Sequence, residues 1–212
     1  MNRIIFSLIL ASLSTAFAAD HGEEKAARLK PGLYAIFNTS EGMFEALLYE
    51  KDVPIATRTF VGLAQGTQPW LDPDSKKVVR RPLYDNITFH RVLPEIMIQS
   101  GDPTGLGTHN CGIRIRDEFL PGIQFSTAGK LAMANTGQEN SGGCQFFITS
   151  EAMPQWNGKY TIFGQVVRGQ NVVDKINRQP VKGEKPVHPA TLQSVSIVRI
   201  SADPKPENPS KR

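Results

Sequence analysis

Short runs in which apolar and polar residues alternate dominate the chain, and stretches rich in Gly, Pro or charge separate them. Alternation over 34–40, a turn at Glu41-Gly42 and alternation over 43–49 predict a β-hairpin. Val53, Ala56, Phe60, Leu63 and Ala64 then recur at helical spacing, with Pro54 suited to a first turn and Gly66 to a stop. Residues 67–82, with Pro and mixed charge, read as a surface loop or excursion. Further strands are predicted over 87–93, 96–100, 130–134, 145–149, 160–167 and 192–200, and a short second helix over 171–176. Gly164 inside a strand signals a bulge or a close approach of backbones. Gly-rich loops fill 101–112 and 137–143. Many short strands with only two helices predict an all-β closed sheet or sandwich, not an α/β fold.

Composition narrows this further. The 212 residues are 40% hydrophobic and 21% charged, which excludes a disordered chain and suggests one domain with a sizeable core. A formal charge of +4 over this length is a weak basic balance. No Lys/Arg block exceeds two residues, so nucleic-acid binding is not expected. Residues 1–18 carry Arg3, an apolar run over 4–13 and Ala16-Phe17-Ala18, the layout of a cleavable secretory signal peptide. That run is too short for a membrane anchor, which needs about 20 residues. A periplasmic or secreted protein is therefore expected, without membrane contact once processed. Residues 19–30 are expected to be loose, 31–201 to form the domain, and the Pro-rich 202–212 to be a disordered tail. Export makes disulfides possible. The pair Cys111 and Cys144 can form one bridge or remain two small buried thiols.

Several common chemistries find no support. The glycines at 101–107 lack the Gly-Lys-Ser/Thr ending of a phosphate loop. His109 and Cys111 have no further partners at zinc-ligand spacing. No G-x-S-x-G elbow is present, and the sequons at Asn38 and Asn86 are of a kind frequent by chance. What remains is a set of polar and apolar residues in four short motifs: Phe89-His90-Arg91 and Met97-Ile98-Gln99-Ser100-Gly101-Asp102 on one segment, Met133-Ala134-Asn135 and Gln145-Phe146-Phe147 on a second.

Through these motifs, in order and at matching spacing, the chain closely resembles the cyclophilins, the peptidyl-prolyl cis-trans isomerases. The resemblance runs from about 33 to 200. It implies an all-β fold, a closed eight-stranded antiparallel β-barrel capped by two α-helices. It also implies isomerisation of X-Pro bonds in proline-containing polypeptides, here exported proteins, by a monomer without cofactor or metal. By the same resemblance Arg91 is the catalytic arginine and Gln99 the glutamine that holds it and contacts substrate. Met97 and Phe147 wall a proline pocket, the Asn135 backbone binds the peptide, and Ala134, Thr136 and Gln145 line the rest. His90 is read as structural, since strand alternation turns it from the face of Arg91.

The departures are specific. Ile96 stands where the family has a pocket phenylalanine, losing aromatic area. Gln155 falls at the tryptophan linked to cyclosporin contact, so low sensitivity to that inhibitor is expected. Trp156 replaces a leucine and Tyr160 a histidine, both counted among the substrate-binding positions. These changes motivate a rival reading, a proline-peptide-binding module or chaperone with weak turnover.

Overall fold

A computed structural model of the chain describes residues 29–202. The predicted signal peptide and nearly all of the two terminal segments lie outside the described residues. The first hairpin forms as its alternation predicts, β1 (Gly32–Thr39) pairing antiparallel with β2 (Gly42–Leu48). The helix α1 (Pro54–Gln65) follows and ends at Gly66 with φ of 73°. Its own first turn supplies no side-chain cap. Instead the Glu118 carboxylate, from a distant loop, accepts from the amides of Ile55 at 3.1 Å and Ala56 at 2.9 Å. These are N–H groups that a helix start leaves without intrahelical partners.

Residues 67–82 are not simply a surface loop. They carry a small hairpin of β3 (Trp70–Leu71) and β4 (Val78–Val79) that buries Trp70. The Trp70 indole donates to the Arg81 carbonyl at 2.9 Å, and the Arg81 guanidinium lies 4.7 Å from the centre of its ring system. The strand predicted over 87–93 divides into β5 (Ile87–Thr88) and β6 (Arg91–Leu93). The other strands are β7 (Met97–Ser100), β8 (Lys130–Met133), β9 (Phe146–Thr149), β10 (Ile162–Arg168) and, after α2 (Gln170–Asn177), a hairpin of β11 (Val181–Lys182) with β12 (Lys185–Pro186). The long closing strand is β13 (Thr191–Ile200). The last hairpin is absent from the sequence prediction, because two-residue ladders show no alternation. In β10 the register shifts between Ile162 and Gly164, the irregularity that the glycine signalled.

One nine-stranded sheet runs in the order β5-β13-β1-β2-β10-β8-β9-β7-β6. Its outermost strands, β5 and β6, share no ladder, so the sheet is a curled, open half-barrel and not the closed eight-stranded barrel expected. The physical reason lies at Phe89 and His90, which belong to no strand. There the chain passes from one edge strand to the other, and the two edges are linked covalently and not by a ladder. The fold is mostly β with two helices, as predicted. The helix α1 packs on β13 and β10, and α2 on β2 and β7.

Strand periodicity gives this sheet two apolar faces. Val92, Ile98, Leu131, Phe146, Ile148 and Phe163 point into the main core. There Phe60 meets Tyr84 at 5.0 Å, Phe163 at 5.0 Å and Phe146 at 5.4 Å between ring centres. The intervening residues Met97, Ala132, Phe147 and Ile162 point the other way, into a second cluster with Phe125 and Met153. The Cys111 and Cys144 thiols are joined in a disulfide, which resolves the alternative left open by the sequence. It ties the 101–112 loop to the start of β9. At the same place Gly101, with φ of 96°, has no room for a Cβ, which would strike the Cys144 carbonyl oxygen.

Candidate active site

The second, outward-facing cluster forms the floor of the site. Antiparallel register sets Arg91 of β6 opposite Gln99 of β7, and Gln99 opposite Phe147 of β9. Two residues along, Leu93 lies opposite Met97. All five side chains share one face because strand positions two apart do. The turn between β6 and β7 is fixed from behind by Asn177 of α2, a buried side chain. Its Oδ1 accepts from the Glu95 amide at 2.6 Å, and its Nδ2 donates to the Leu93 carbonyl at 2.8 Å and the Met97 carbonyl at 3.0 Å. Glu95 itself takes a φ of 64°, which a single tight turn residue tolerates when its surroundings hold it.

A polar chain crosses this face. The Arg91 Nη1 donates to Gln99 Oε1 at 3.1 Å. The Gln99 Nε2 donates to Gln145 Oε1 at 2.9 Å. Gln145 Nε2 in turn donates to the carbonyls of Gly107 at 3.1 Å and His109 at 3.0 Å. On the other side of the guanidinium, Arg91 Nε donates to the Glu184 carboxylate at 2.6 Å. That bond holds the Glu184 carboxyl below the usual glutamate range, with desolvation opposing it.

Beside this chain lies a hollow of about 100 Å³ lined by Arg91, Leu93, Met97, Gln99, Ala134, Asn135, Phe147, Trp156 and Tyr160. Phe147 is its aromatic base. Trp156 stands on the Phe147 ring edge-on at 5.4 Å, Tyr160 does so at 5.1 Å, and the two are 5.6 Å apart. Edge-to-face packing at these distances is favourable and holds each ring in place. Trp156 ends a single turn of 3-10 helix, Pro154–Trp156, whose preceding Met153 is bonded through its amide to the Phe125 carbonyl. A second hollow shares the wall of Gln99, Ala134 and Asn135 and adds Thr136, Ser141 and Gln145. The Asn135 side chain is committed to its loop, bonding the Lys159 carbonyl at 2.8 Å and the Gly137 amide at 3.1 Å.

Of the predicted site residues, then, Arg91, Gln99, Met97, Ala134, Asn135, Phe147, Trp156 and Tyr160 come together in one hollow. Thr136 and Gln145 lie in its neighbour. Ile96 does not line either. It sits in the β6–β7 turn, half-buried against the outer cluster, and Leu93 supplies the aliphatic wall instead. The alternation Arg91–Val92–Leu93 carried that signal in the sequence. Gln155 is exposed and outside the lining, with its amide near the Met153 sulfur. Glu184 was not foreseen, and no motif marks it.

His90 is buried against the 101–112 loop, where Gly107 approaches its ring closely. Neither ring nitrogen meets the geometry of a hydrogen bond, although Gln145 and the Thr88 backbone lie near enough to act on its charge. Burial lowers its pKa, and the nearby Asp102 carboxylate opposes that shift. Among the described residues, no cluster of three or more His, Cys, Asp or Glu is arranged to hold a metal ion.

Comparison with known proteins agrees with this geometry. The family model described as cyclophilin-type peptidyl-prolyl cis-trans isomerase/CLD matches residues 34–197. Peptidyl-prolyl cis-trans isomerase A of Mycobacterium tuberculosis is 39% identical over 166 residues, covering 77% of this chain and 91% of that protein. Peptidyl-prolyl cis-trans isomerase B of Streptomyces anulatus is 38% identical over 169 residues, covering 78% and 96% respectively. A crystal structure of a Cryptosporidium parvum cyclophilin-type isomerase superposes with a TM-score of 0.68 at 29% identity, covering 79% of this chain and 98% of that one. The same protein has been solved in the presence of the dipeptide Ala-Pro, with a TM-score of 0.67. The chain belongs to the cyclophilin family and is a peptidyl-prolyl cis-trans isomerase.

Proposed function

We propose that the isomerase works through Arg91, which donates a hydrogen bond to the proline nitrogen as the X-Pro amide twists. The amide C–N bond has partial double-bond character and a rotation barrier of about 18–20 kcal/mol. In the planar ground state the nitrogen lone pair is delocalised and accepts poorly. In the twisted state the nitrogen becomes pyramidal and the pair is available. A fixed guanidinium therefore binds the transition state better than the substrate, the condition for raising the rate. Each tenfold in rate needs only about 1.4 kcal/mol of such preference.

The observation that carries this reading is the placement of the Arg91 guanidinium at the rim of a hollow with an apolar, aromatic base. The pyrrolidine ring rests among Leu93, Met97 and Phe147 while the preceding carbonyl swings past Arg91. Trp156 and Tyr160 keep the ring from tilting. Gln99 orients the guanidinium without altering its charge, and the Asn135 backbone, with Ala134, Thr136 and Gln145 in the adjoining hollow, holds the flanking peptide. No bond is made or broken, so the step requires no nucleophile. Its substrates are exported polypeptides, a reading supported by the signal-peptide pattern of residues 1–18. Slow X-Pro isomerisation is a rate-limiting step for many such chains.

Exchange NMR on a short proline peptide tests the mechanism. The parent protein accelerates cis-trans exchange, and Arg91→Ala loses roughly 100-fold or more in kcat/KM, as removal of an electrostatic donor does elsewhere. Undiminished exchange with Arg91→Ala would sink the proposed role.

A further inference from the structure

Arg91 is a long side chain on an edge strand, and 40% of it is open to solvent. A guanidinium held at one nitrogen can still swing about that contact. Here it is held at two. Gln99, the expected partner, takes Nη1 at 3.1 Å, and Glu184 takes Nε at 2.6 Å. The Glu184 bond is the shorter of the two and joins opposite charges, with 55% of the Glu184 side chain open to solvent.

The carrier of Glu184 is also tied to Arg91's own strand. Glu184 follows Gly183, whose φ of 67° makes the tight turn between β11 and β12. The Glu184 carbonyl accepts from the Val92 amide at 2.8 Å, so the hairpin is sewn to β6 one residue beyond Arg91. The base of the hairpin is closed by the Val187 amide donating to the Pro180 carbonyl at 2.8 Å. The carboxylate is thus presented from a braced turn, not from a free loop. Of the five guanidinium N–H groups, these two bonds occupy one on Nε and one on Nη1. The other three, on Nη1 and Nη2, are left for the hollow.

We infer that Glu184 is a positioning residue for Arg91, fixing the plane of the guanidinium so that its remaining N–H groups meet the proline nitrogen of the twisted amide. The inference rests on the reading of Arg91 proposed above. Glu184 touches no reacting atom. It acts through Arg91, and together with Gln99 it holds that group from two sides, so its removal slows the chemical step and not the capture of peptide.

The test compares the parent with Glu184→Gln, Glu184→Asp and Arg91→Ala, by kinetics on a proline peptide and by the NMR signal of the Arg91 Nε–H. Glu184→Gln lowers kcat roughly five- to tenfold, a cost of the kind small misplacements impose, and leaves KM within twofold. Its Arg91 Nε–H signal moves towards that of a solvated arginine and exchanges faster. Glu184→Asp recovers part of the rate and part of the signal. An unchanged or raised kcat in Glu184→Gln overturns the inference, and so does a lowered kcat with an unmoved Nε–H signal. A full rate in Arg91→Ala marks a different failure, that of the proposed chemistry itself.

Discussion

Gln99 and Gln145 join their side-chain amides at 2.9 Å, and through that one bond the guanidinium of Arg91 is connected to the backbone of the 101–112 loop. Each amide has both a donor and an acceptor in use. Gln99 accepts from Arg91 and donates to Gln145, which donates onward to the Gly107 and His109 carbonyls. Such a chain fixes the direction of every member, because reversing one amide would set donor against donor.

Replacing Gln99 by Ala breaks the chain in the middle. It leaves Arg91 with the Glu184 anchor alone and Gln145 without its acceptor role. The expected result is a loss of about tenfold in kcat/KM, near 1.4 kcal/mol, with the fold intact. Exchange NMR on a proline peptide measures it, and a parental rate would remove Gln99 from the mechanism.

Phe147 serves both the floor of the hollow and the packing of the outer cluster. It is only 4% exposed and touches the rings of Phe125, Trp156 and Tyr160. Phe147→Ala is therefore expected to cost about 3–5 kcal/mol of folding stability, read from denaturant unfolding. Phe147→Leu keeps most of the volume and raises KM with a much smaller stability loss.

Acid should weaken the fold through His90. Its folded pKa lies below the unfolded value because burial disfavours the imidazolium. The unfolded chain then binds the extra proton first, so stability is full above the unfolded pKa of about 6.5. It falls as pH drops from there towards the folded pKa. Unfolding free energies measured between pH 8 and 5 should show this decline, and His90→Gln should flatten it; equal slopes in the two proteins would refute the assignment. The Asp102 carboxyl adds a separate decline at lower pH. Burial opposes its ionisation, but the His109 amide and the Thr104 amide and hydroxyl outweigh that and hold its pKa below the usual range.

The Cys111–Cys144 bridge spans 33 residues of sequence. In the chain-entropy account, closing a loop of that size stabilises the fold by about 4 kcal/mol. Reduction, or the double replacement by Ser, should lower the unfolding free energy by that order. Because Cys144 precedes Gln145, turnover should fall as well, by loosening of the 101–112 carbonyls on which Gln145 rests. An unchanged denaturation midpoint after reduction would contradict this.

Much of this arrangement was legible in the chain because strand alternation is strict. Once 97–100 and 146–149 are strands, Met97, Gln99 and Phe147 must leave the core that Ile98, Phe146 and Ile148 enter. The family motifs then pointed to the chemistry proposed above for that outer face. The misses have local causes. The β3–β4 and β11–β12 hairpins are two-residue ladders, too short to show a period, so Trp70 and Glu184 looked like loop residues. The open sheet has a break in strand structure at Phe89 and His90, which hydrophobicity alone reads as continuing strand. Ile96 was named only through the family resemblance; it packs half-buried against the outer cluster of Met97 and Phe147, while Leu93 lines the hollow.

The hollow lies on the outside of a sheet whose inner side is filled by Phe37, Phe60, Phe146 and Phe163. As the seat of the proposed isomerisation, a hollow worn on the surface in this way does not encircle its substrate. A proline deep within a long polypeptide can be laid across it sideways, turned and released, with neither terminus of that polypeptide passing through the protein. In that reading, length of substrate is no barrier to turnover.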